Sequence, residues 1–411
     1  MGRATGSADG SAAAGSGAVA VVAPTWYRAT VGEGSQEVPF FLSTPPPGAV
    51  GACQVANGDE RIAVRCRWDG AALDLEFLQF ATRIHATRGA DGALAGGWVP
   101  SHQSGLDAPI AFAATPVPAL DPRTRFAPGA RPAVDVSGTW ETQHQSFGLG
   151  KGVLAQTADG VVTGTLIPTD VGDLRYLAGT VVDHTLWLST FDGQHAYVLR
   201  AEVATAGDTL SGVWTYSHIL DDPFTGRRVD TLDVGRLETL RLRAGATRVT
   251  IPQLADPAFS GKPVVVDYSG TWCPACMDAT PFLVELYRKH HPRGLEILTV
   301  SLEATEDPAV NAKQVAYFRE HFAIPWRIDI LPGDLTETVS LLPPELENTG
   351  GFPITLFINR DGTVADLHSG FYGPAAPAEH AALKRRFEAS VERILASPPP
   401  AAAPASPAPA P

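Results

Sequence analysis

The residues from Val264 to Cys276 constrain the fold more than any other part of this sequence. Three consecutive valines are followed by Asp-Tyr-Ser-Gly-Thr-Trp and then by Cys-Pro-Ala-Cys. A short apolar run of this kind predicts a strand that is buried on both faces. The apolar residues between Pro274 and about His290 recur on one helical face. The sequence therefore predicts a strand that leads through a short loop into a helix, with both cysteines at the start of that helix.

The spacing of Cys273 and Cys276 is used both for zinc binding and for thiol chemistry. No second pair of cysteines or Cys/His pair follows at zinc-site spacing, so a closed zinc site lacks ligands. A thiolate at the helix start gains from the helix dipole and from free amide donors, and Pro274 suits the first helical position. We therefore expect Cys273 to be an exposed nucleophile and Cys276 a shielded thiol that resolves a mixed disulfide. We expect no cofactor apart from this disulfide itself.

Asp267 is an acid within the predicted buried strand 264–268. Burial of a carboxyl group is costly and raises its pKa. A carboxylate with a raised pKa suits a base that takes the proton of Cys276 when this thiol attacks. The alternative is an acid at the strand end that water reaches.

Pro353 is the third element of the candidate site. It follows Gly-Gly-Phe and directly precedes a predicted strand at 354–359. A cis bond between Phe352 and Pro353 would bend the chain beside the dithiol and leave the Phe352 backbone free to pair with an extended substrate. The side chains expected to contact a substrate are Trp272, Pro274, Ala275, Phe352 and Pro353.

The sequence between about 24 and 245 contains one pattern twice. One copy ends at Trp98 with the sequence Asp-Gly-Ala-Leu-Ala-Gly-Gly-Trp, and the other ends at Trp214 with Gly-Asp-Thr-Leu-Ser-Gly-Val-Trp. A Thr-Trp pair opens each half, at Trp26 and at Trp140. Short alternating runs between turn sequences predict β-strands. Two copies of one antiparallel unit, with a barrel or sandwich shape, are the simplest interpretation. We expect the tryptophans to fill the cores, with ligand stacking as the alternative.

The chain is thus predicted to be multidomain, with a duplicated antiparallel β region followed by an α/β domain. After residue 246, predicted strands alternate with predicted helices. The predicted parts are a disordered N-terminus (1–23), a first β repeat (24–118), a linker (119–133), a second β repeat (134–245), an α/β domain (246–397) and a disordered Pro/Ala tail (398–411).

Charge and hydrophobicity exclude some classes of partner. The chain has 44 acidic residues against 31 lysines and arginines and contains no long basic block, which argues against nucleic acid. No apolar run is long enough for a membrane-spanning helix. The first 22 residues are rich in Gly, Ala and Ser, but their apolar stretch is short for a signal peptide.

Cys53 and Cys66 flank a turn sequence, Asn-Gly-Asp-Glu. Two strands that fold back at this turn would bring the two sulfurs together. A structural disulfide here would indicate an oxidising compartment. Two buried free thiols remain the alternative at this point.

The segment 264–276, with Pro281 and the later Phe-Pro-Ile-Thr at 352–355, resembles the thioredoxin superfamily. The long segment between the two motifs is similar to TlpA/ResA-like thiol-disulfide oxidoreductases, and the β region to the N-terminal extension of some large members. The thioredoxin-type match covers about residues 247–397. TlpA/ResA-like proteins usually carry a Glu where this chain has Ala279, and often an Asn where it has Asp267. The acid is placed as in thioredoxin, which supports Asp267 as proton acceptor.

The resemblance implies a bacterial thiol-disulfide oxidoreductase that reduces protein disulfides in the periplasm or at the cell surface. Its partners would be a protein with a disulfide and a thiol-disulfide electron donor, which some members find in the membrane. A peroxiredoxin-like peroxidase is disfavoured, because such sites resemble Thr-x-x-Cys and position 270 is Gly. A binding scaffold with a β docking region, and a protein that donates disulfides, are further alternatives.

Overall fold

The computed structural model describes residues 23–49, 51–80, 82–100, 109–126, 132–169, 171–216, 220–334, 337 and 339–399. The two ends that the sequence predicts to be disordered fall almost wholly outside these ranges. His102 and His218, which the sequence places at the surface or in turns, also lie outside them. The described residues form a large antiparallel β region followed by an α/β region with a five-stranded sheet.

The first eight strands pair in sequence order, and the first pairs with the eighth to close a barrel. Their bounds are β1 (Thr25–Val31), β2 (Val38–Thr44), β3 (Cys53–Asn57), β4 (Glu60–Asp69), β5 (Ala72–Phe77), β6 (Thr82–Arg88), β7 (Leu94–Val99) and β8 (Ile110–Val117). Alternation sets the inner face of each strand. In β5, Leu73, Leu75 and Phe77 are buried, whereas Asp74 and Glu76 are only partly buried.

The next eight strands form a second closed barrel, in which β9 pairs with β16. Their bounds are β9 (Gly138–His144), β10 (Gly148–Gln156), β11 (Val161–Pro168), β12 (Leu177–Val182), β13 (Thr185–Phe191), β14 (Ala196–Val203), β15 (Thr209–Tyr216) and β16 (Leu220–Val229). Trp98 and Trp214 lie on the seventh strand of their barrels, as expected for a duplicated unit.

Three of the four repeated tryptophans fill barrel cores, because Trp98, Trp140 and Trp214 are buried. The prediction of a core position is wrong for Trp26, which is only partly buried. In β1 the buried aromatic residue is Tyr27, the next residue along the chain. The side-chain period of a strand is two, so a shift of one residue turns Trp26 away from the core.

The turn between β13 and β14 joins the two barrels. The Phe191 ring packs with the core of the first barrel, 4.4 Å from the Phe40 ring and 5.2 Å from the Trp98 ring between centroids. The Trp98 indole Nε1 donates to the Gly193 carbonyl at 2.8 Å. The second barrel therefore contributes a plug to the first, and the two cores are continuous at this point.

Arg125 locks the same interface from the segment that the sequence predicts to be a linker. Its guanidinium is buried and donates to the Ser189 hydroxyl at 2.8 Å and to the Asn57 side-chain oxygen at 2.9 Å. Burial lowers the pKa of Arg125 to about 9. Arg125 of the predicted linker is therefore part of the packed interface.

The α/β region contains a five-stranded sheet in the order β20-β19-β18-β22-β23, in which β18, β19 and β20 are parallel and β22 and β23 are antiparallel. Its strands are β18 (Val264–Ser269), β19 (Glu296–Ser301), β20 (Arg327–Ile330), β22 (Ile354–Ile358) and β23 (Val364–Ser369), with β17 (Arg241–Leu242) and β21 (Leu346–Glu347) in a separate pair. Its helices are α1 (Pro274–His290), α2 (Pro308–Phe322) and α3 (Pro377–Leu395).

Helices α1 and α3 pack together through the rings of Phe282 and Phe387, whose centroids are 6.2 Å apart. The Phe387 ring also meets Phe357 of the sheet edge-on at 5.1 Å. These contacts fix the start of α1 at the carboxyl end of β18. Within the described ranges, every helix falls short of the length or the apolar character that crossing a membrane would require.

We expect Phe191→Ala to lower the free energy of unfolding by about 3–5 kcal/mol, because it removes a buried aromatic ring and leaves a cavity. Urea denaturation followed by tryptophan fluorescence measures the change. Phe147→Ala is the matched control, since Phe147 is a partly buried phenylalanine of the same barrel. Equal destabilisation by the two substitutions would contradict the plug.

Candidate active site

The two cysteines of the predicted dithiol lie at the start of α1 and form a disulfide, with Cα atoms 5.2 Å apart. Cys273 is the N-cap residue, and its sulfur accepts a hydrogen bond from the Cys276 amide at 3.2 Å. Pro274 is the first residue of the helix and requires no donor partner there. The helix start thus offers amide donors and the positive end of the dipole to a thiolate at Cys273.

Asp267 lies within β18 and is fully buried. The Thr299 hydroxyl donates to its Oδ2 at 3.5 Å, and its Oδ1 has no hydrogen-bond partner among the described residues. Burial raises the pKa of Asp267 to about 7, and the Thr299 hydroxyl opposes part of this shift. The alternative of a solvated acid at the strand end is wrong, because Asp267 is only 3% exposed.

The loop before β22 lies beside the dithiol, and its Phe352–Pro353 bond is cis. The Phe352 ring meets the Trp272 ring edge-on, with centroids 5.8 Å apart. The Pro353 carbonyl accepts a hydrogen bond from the Gly370 amide at 2.8 Å. The structure therefore brings the cis-proline loop and the residue before the dithiol together.

The Trp272 indole explains why position 270 is glycine. Its Nε1 donates to the Leu302 carbonyl at 2.7 Å, so that the ring lies across Gly270. A Cβ atom at position 270 would lie 2.7 Å from the same carbonyl and would also overlap the indole. Threonine, as in Thr-x-x-Cys sites, does not fit here unless this loop rearranges.

Glu303 is a site residue that the sequence reasoning missed. It is fully buried and accepts hydrogen bonds from the Thr271 hydroxyl (2.5 Å), the Thr271 amide (3.2 Å) and the Ser301 hydroxyl (2.6 Å). Burial raises its pKa, and these hydrogen bonds offset part of the shift. Glu303 thus ties the loop that carries the dithiol to the end of β19. The signal in the sequence is an acid directly after a buried strand.

The prediction that Cys273 is exposed is wrong. Cys273 is 3% exposed and Cys276 is 1% exposed. Ala275, one of the predicted substrate contacts, is also buried, because Gly172 of the second barrel lies against it. The sequence gives no sign of this contact, since it joins parts of the chain that are about 100 residues apart.

Cys53 and Cys66 form a second disulfide, with Cα atoms 5.9 Å apart. The two residues are not directly opposite one another, because Cys53 pairs with Val64 across the β3–β4 hairpin. The bond is therefore diagonal across the two strands. Of the two alternatives that the sequence leaves open, the structure has the disulfide.

Comparison with known proteins finds a family model that covers the dithiol and several relatives that match part of this chain. Residues 247–380 match the family model Redoxin. The ResA thiol-disulfide oxidoreductase of Oceanobacillus iheyensis is 29% identical over 118 residues, which are 29% of this chain and 54% of the relative. Tryparedoxin of Trypanosoma brucei brucei is 34% identical over 106 residues, which are 25% of this chain and 63% of the relative. The chain thus spans about half to two thirds of the length of these relatives.

Among solved structures, a thiol:disulfide interchange protein of the thioredoxin family from Chlorobium tepidum TLS is 19% identical. The match covers 33% of this chain and 81% of that protein, with a TM-score of 0.25. The residues matched by the family model include the Cys-Pro-Ala-Cys motif and the cis-proline loop. This part of the chain is therefore similar to the Redoxin family, and the chain is similar to ResA thiol-disulfide oxidoreductases.

Proposed function

We propose that this protein is a thiol-disulfide oxidoreductase that reduces protein disulfides through Cys273 and Cys276. The observation that supports the proposal is the disulfide at the start of α1, preceded by Trp272, which contacts Phe352 of the cis-proline loop, and by a strand that contains a buried acid. Each of these features has a chemical use in thiol exchange. The couple supplies its own two electrons, so the reaction requires no cofactor.

The proposed reaction has two exchanges. In the reduced protein, the Cys273 thiolate attacks one sulfur of a substrate disulfide and forms a mixed disulfide, and the other substrate sulfur leaves as a thiolate. The Cys276 thiol then gives its proton to Asp267 and attacks the Cys273 sulfur. The second substrate thiol is released, and the Cys273–Cys276 disulfide forms. An external dithiol donor restores the reduced state.

The location and partners that we propose follow from the same chemistry. A bonded Cys53–Cys66 pair in the first barrel is expected where structural disulfides persist, which supports an extracytoplasmic location. We propose a folded or extended protein with a disulfide as the substrate and a thiol-disulfide protein as the electron donor. The peroxidase alternative is weakened by the glycine that the Trp272 indole requires at position 270. The scaffold alternative gives no use to the disulfide at the start of α1 or to the buried acid on β18.

We expect the reduction potential of the couple to lie near that of thioredoxin, about −270 mV. Equilibration of the full-length protein with dithiothreitol or glutathione buffers, read by mass after alkylation, measures it. A potential near about −120 mV would make the protein a disulfide donor instead. No redox change at Cys273 and Cys276 in any buffer would refute the proposed function.

We expect Cys276→Ser to accumulate mixed disulfides at Cys273, because the resolving thiol is absent. Cys273→Ser is the matched control and should trap none. Incubation of the reduced variants with a disulfide-bonded test protein, followed by non-reducing electrophoresis, separates the two results. Equal trapping by both variants would contradict the assignment of Cys273 as nucleophile.

We expect Asp267→Asn to slow the resolving step by about 10²-fold at neutral pH, because the base that takes the Cys276 proton is removed. In the parent protein the carboxyl, with its pKa of about 7, must lose its proton to act. The rate should therefore rise with pH through this value and lose that inflection in Asp267→Asn. Release of thionitrobenzoate from a mixed disulfide preformed at Cys273 measures the rate.

Thr299→Val is the control for this titration, since it keeps the acid and removes the hydroxyl that stabilises the carboxylate. Its inflection should move to higher pH than in the parent protein. An inflection near neutral pH that persists in Asp267→Asn would show that another group is the base.

A further inference from the structure

The start of α1, which carries the dithiol, is contacted by a part of the chain that belongs to the second barrel. The turn between β11 and β12 leaves the barrel, and its residues 171–176, which we call the cap segment, lie on the surface around Ala275. Gly172 and Asp173 are buried there. A sulfur that reacts by thiol-disulfide exchange needs an open approach along the line of the bond that forms. The cap segment contacts Ala275 and the Pro274 carbonyl, which lie between the two cysteines, and Cys273 itself is buried.

The cap segment approaches the α/β region closely where Gly172 meets Gly370. A Cβ atom at Gly172 would lie 2.8 Å from the Ala275 Cβ and 2.7 Å from the Phe371 carbonyl oxygen, so no side chain fits at this position. On the other side, a Cβ atom at Gly370 would lie 2.5 Å from the Gly172 nitrogen. Gly172 has a φ angle of +94°, which other residues rarely adopt. Both surfaces are thus shaped for direct backbone contact.

The cap segment also pairs with the α/β region by hydrogen bonds. The Asp173 amide donates to the Phe371 carbonyl at 3.2 Å, and the Asp173 carboxylate accepts from the Gly373 amide at 2.8 Å. Residues 370–373 directly follow β23 and adjoin the cis-proline loop, because the Gly370 amide donates to the Pro353 carbonyl. The cap segment therefore occupies backbone groups next to those that the proposed function assigns to an extended substrate.

An ionic contact anchors the cap segment next to the dithiol. The Arg175 guanidinium lies 3.3 Å from the Asp278 carboxylate on α1 and also donates to the Pro274 carbonyl at 3.5 Å. On the other side it meets Glu60 of the first barrel at 2.5 Å and Asp192 at 3.7 Å. The cap segment thus contacts other parts of the protein through Gly172, Asp173 and Arg175.

We propose that the cap segment is an intramolecular cover of the dithiol, which occupies part of the substrate-docking surface and is displaced when a partner binds. The proposal rests on the proposed function and concerns the regulation of the same site. A partner must supply enough contacts to replace those of Gly172, Asp173 and Arg175. The cover would thereby select partners that bind both the α/β region and the barrels, and it would hold the reduced dithiol away from small oxidants.

The test is the rate at which iodoacetamide alkylates Cys273 in the reduced full-length protein, read by mass on the peptide that contains it. The reagent reaches Cys273 only when the cap segment opens, so the rate follows the population of the open state. We expect Gly172→Ala to raise the rate at least about ten-fold, because its methyl group clashes with Ala275 and Phe371 in the closed state.

Gly148→Ala is the matched control, since Gly148 is in the same barrel and also has a positive φ, but its added Cβ would meet open space. Its alkylation rate should equal that of the parent protein. The rates are compared on the high-pH plateau, where the thiol is fully ionised, so that a change in thiol pKa is separated from a change in access. Equal plateau rates for the parent protein and Gly172→Ala would overturn the proposal.

Asp173→Ala gives a second route if Gly172→Ala does not fold. It removes the hydrogen bond to Gly373 without adding volume, and it also removes a buried carboxyl group. It too should raise the plateau rate, and an unchanged rate would overturn the proposal. Alkylation requires only a reduced Cys273 and no substrate. The alkylation rate therefore tests the proposed cover, whereas the equilibration with redox buffers tests the proposed function.

Discussion

One largely buried guanidinium, that of Arg175, joins the three parts of the molecule by ion pairs. Arg175 comes from the second barrel and pairs with Glu60 of the first barrel and with Asp278 of helix α1. Burial disfavours its charge, but the carboxylates of Asp278, Glu60 and Asp192 hold the pKa of Arg175 above its usual value. A buried charge without partners is strongly destabilising. The second barrel therefore supplies the guanidinium, and the first barrel and helix α1 each supply a carboxylate that compensates its charge.

Equivalent loops of the two barrels lie where the barrels and the α/β region meet. The turn between the fifth and sixth strands places Phe80 of the first barrel against the α/β core and Phe191 of the second barrel in the first barrel's core. Phe80 also meets the His195 ring edge-on at 5.3 Å. The duplicated units thus present the same ends to a common centre, where the α/β region also packs. Both cysteines of the dithiol are buried in this assembly.

Local patterns in the sequence predicted the parts of the structure that local physics determines. Strand alternation, the proline at the helix start and the buried acid at position 267 are all set by residues within a few positions of one another. The contact between Gly172 and Ala275, and the burial of Arg125 in an apparent linker, depend on how separate units pack. The spacing of apolar residues along the sequence does not predict contacts between separate units. The exposure predicted for Cys273 was wrong, and the sequence contains no sign that Ala275 of the same motif packs against another unit.

The third and fourth strands of the two barrels are connected very differently. In the first barrel β3 ends at Asn57 and β4 begins at Glu60, whereas in the second β11 ends at Pro168 and β12 begins at Leu177. Surface turns tolerate insertions at small energetic cost, because the entropy of loop closure grows slowly with length. After a gene duplication, lengthening of one copy of this turn could therefore create a cover for the dithiol while every residue of the reaction centre stayed the same. Relatives with a shorter turn here would have an open site with identical chemistry.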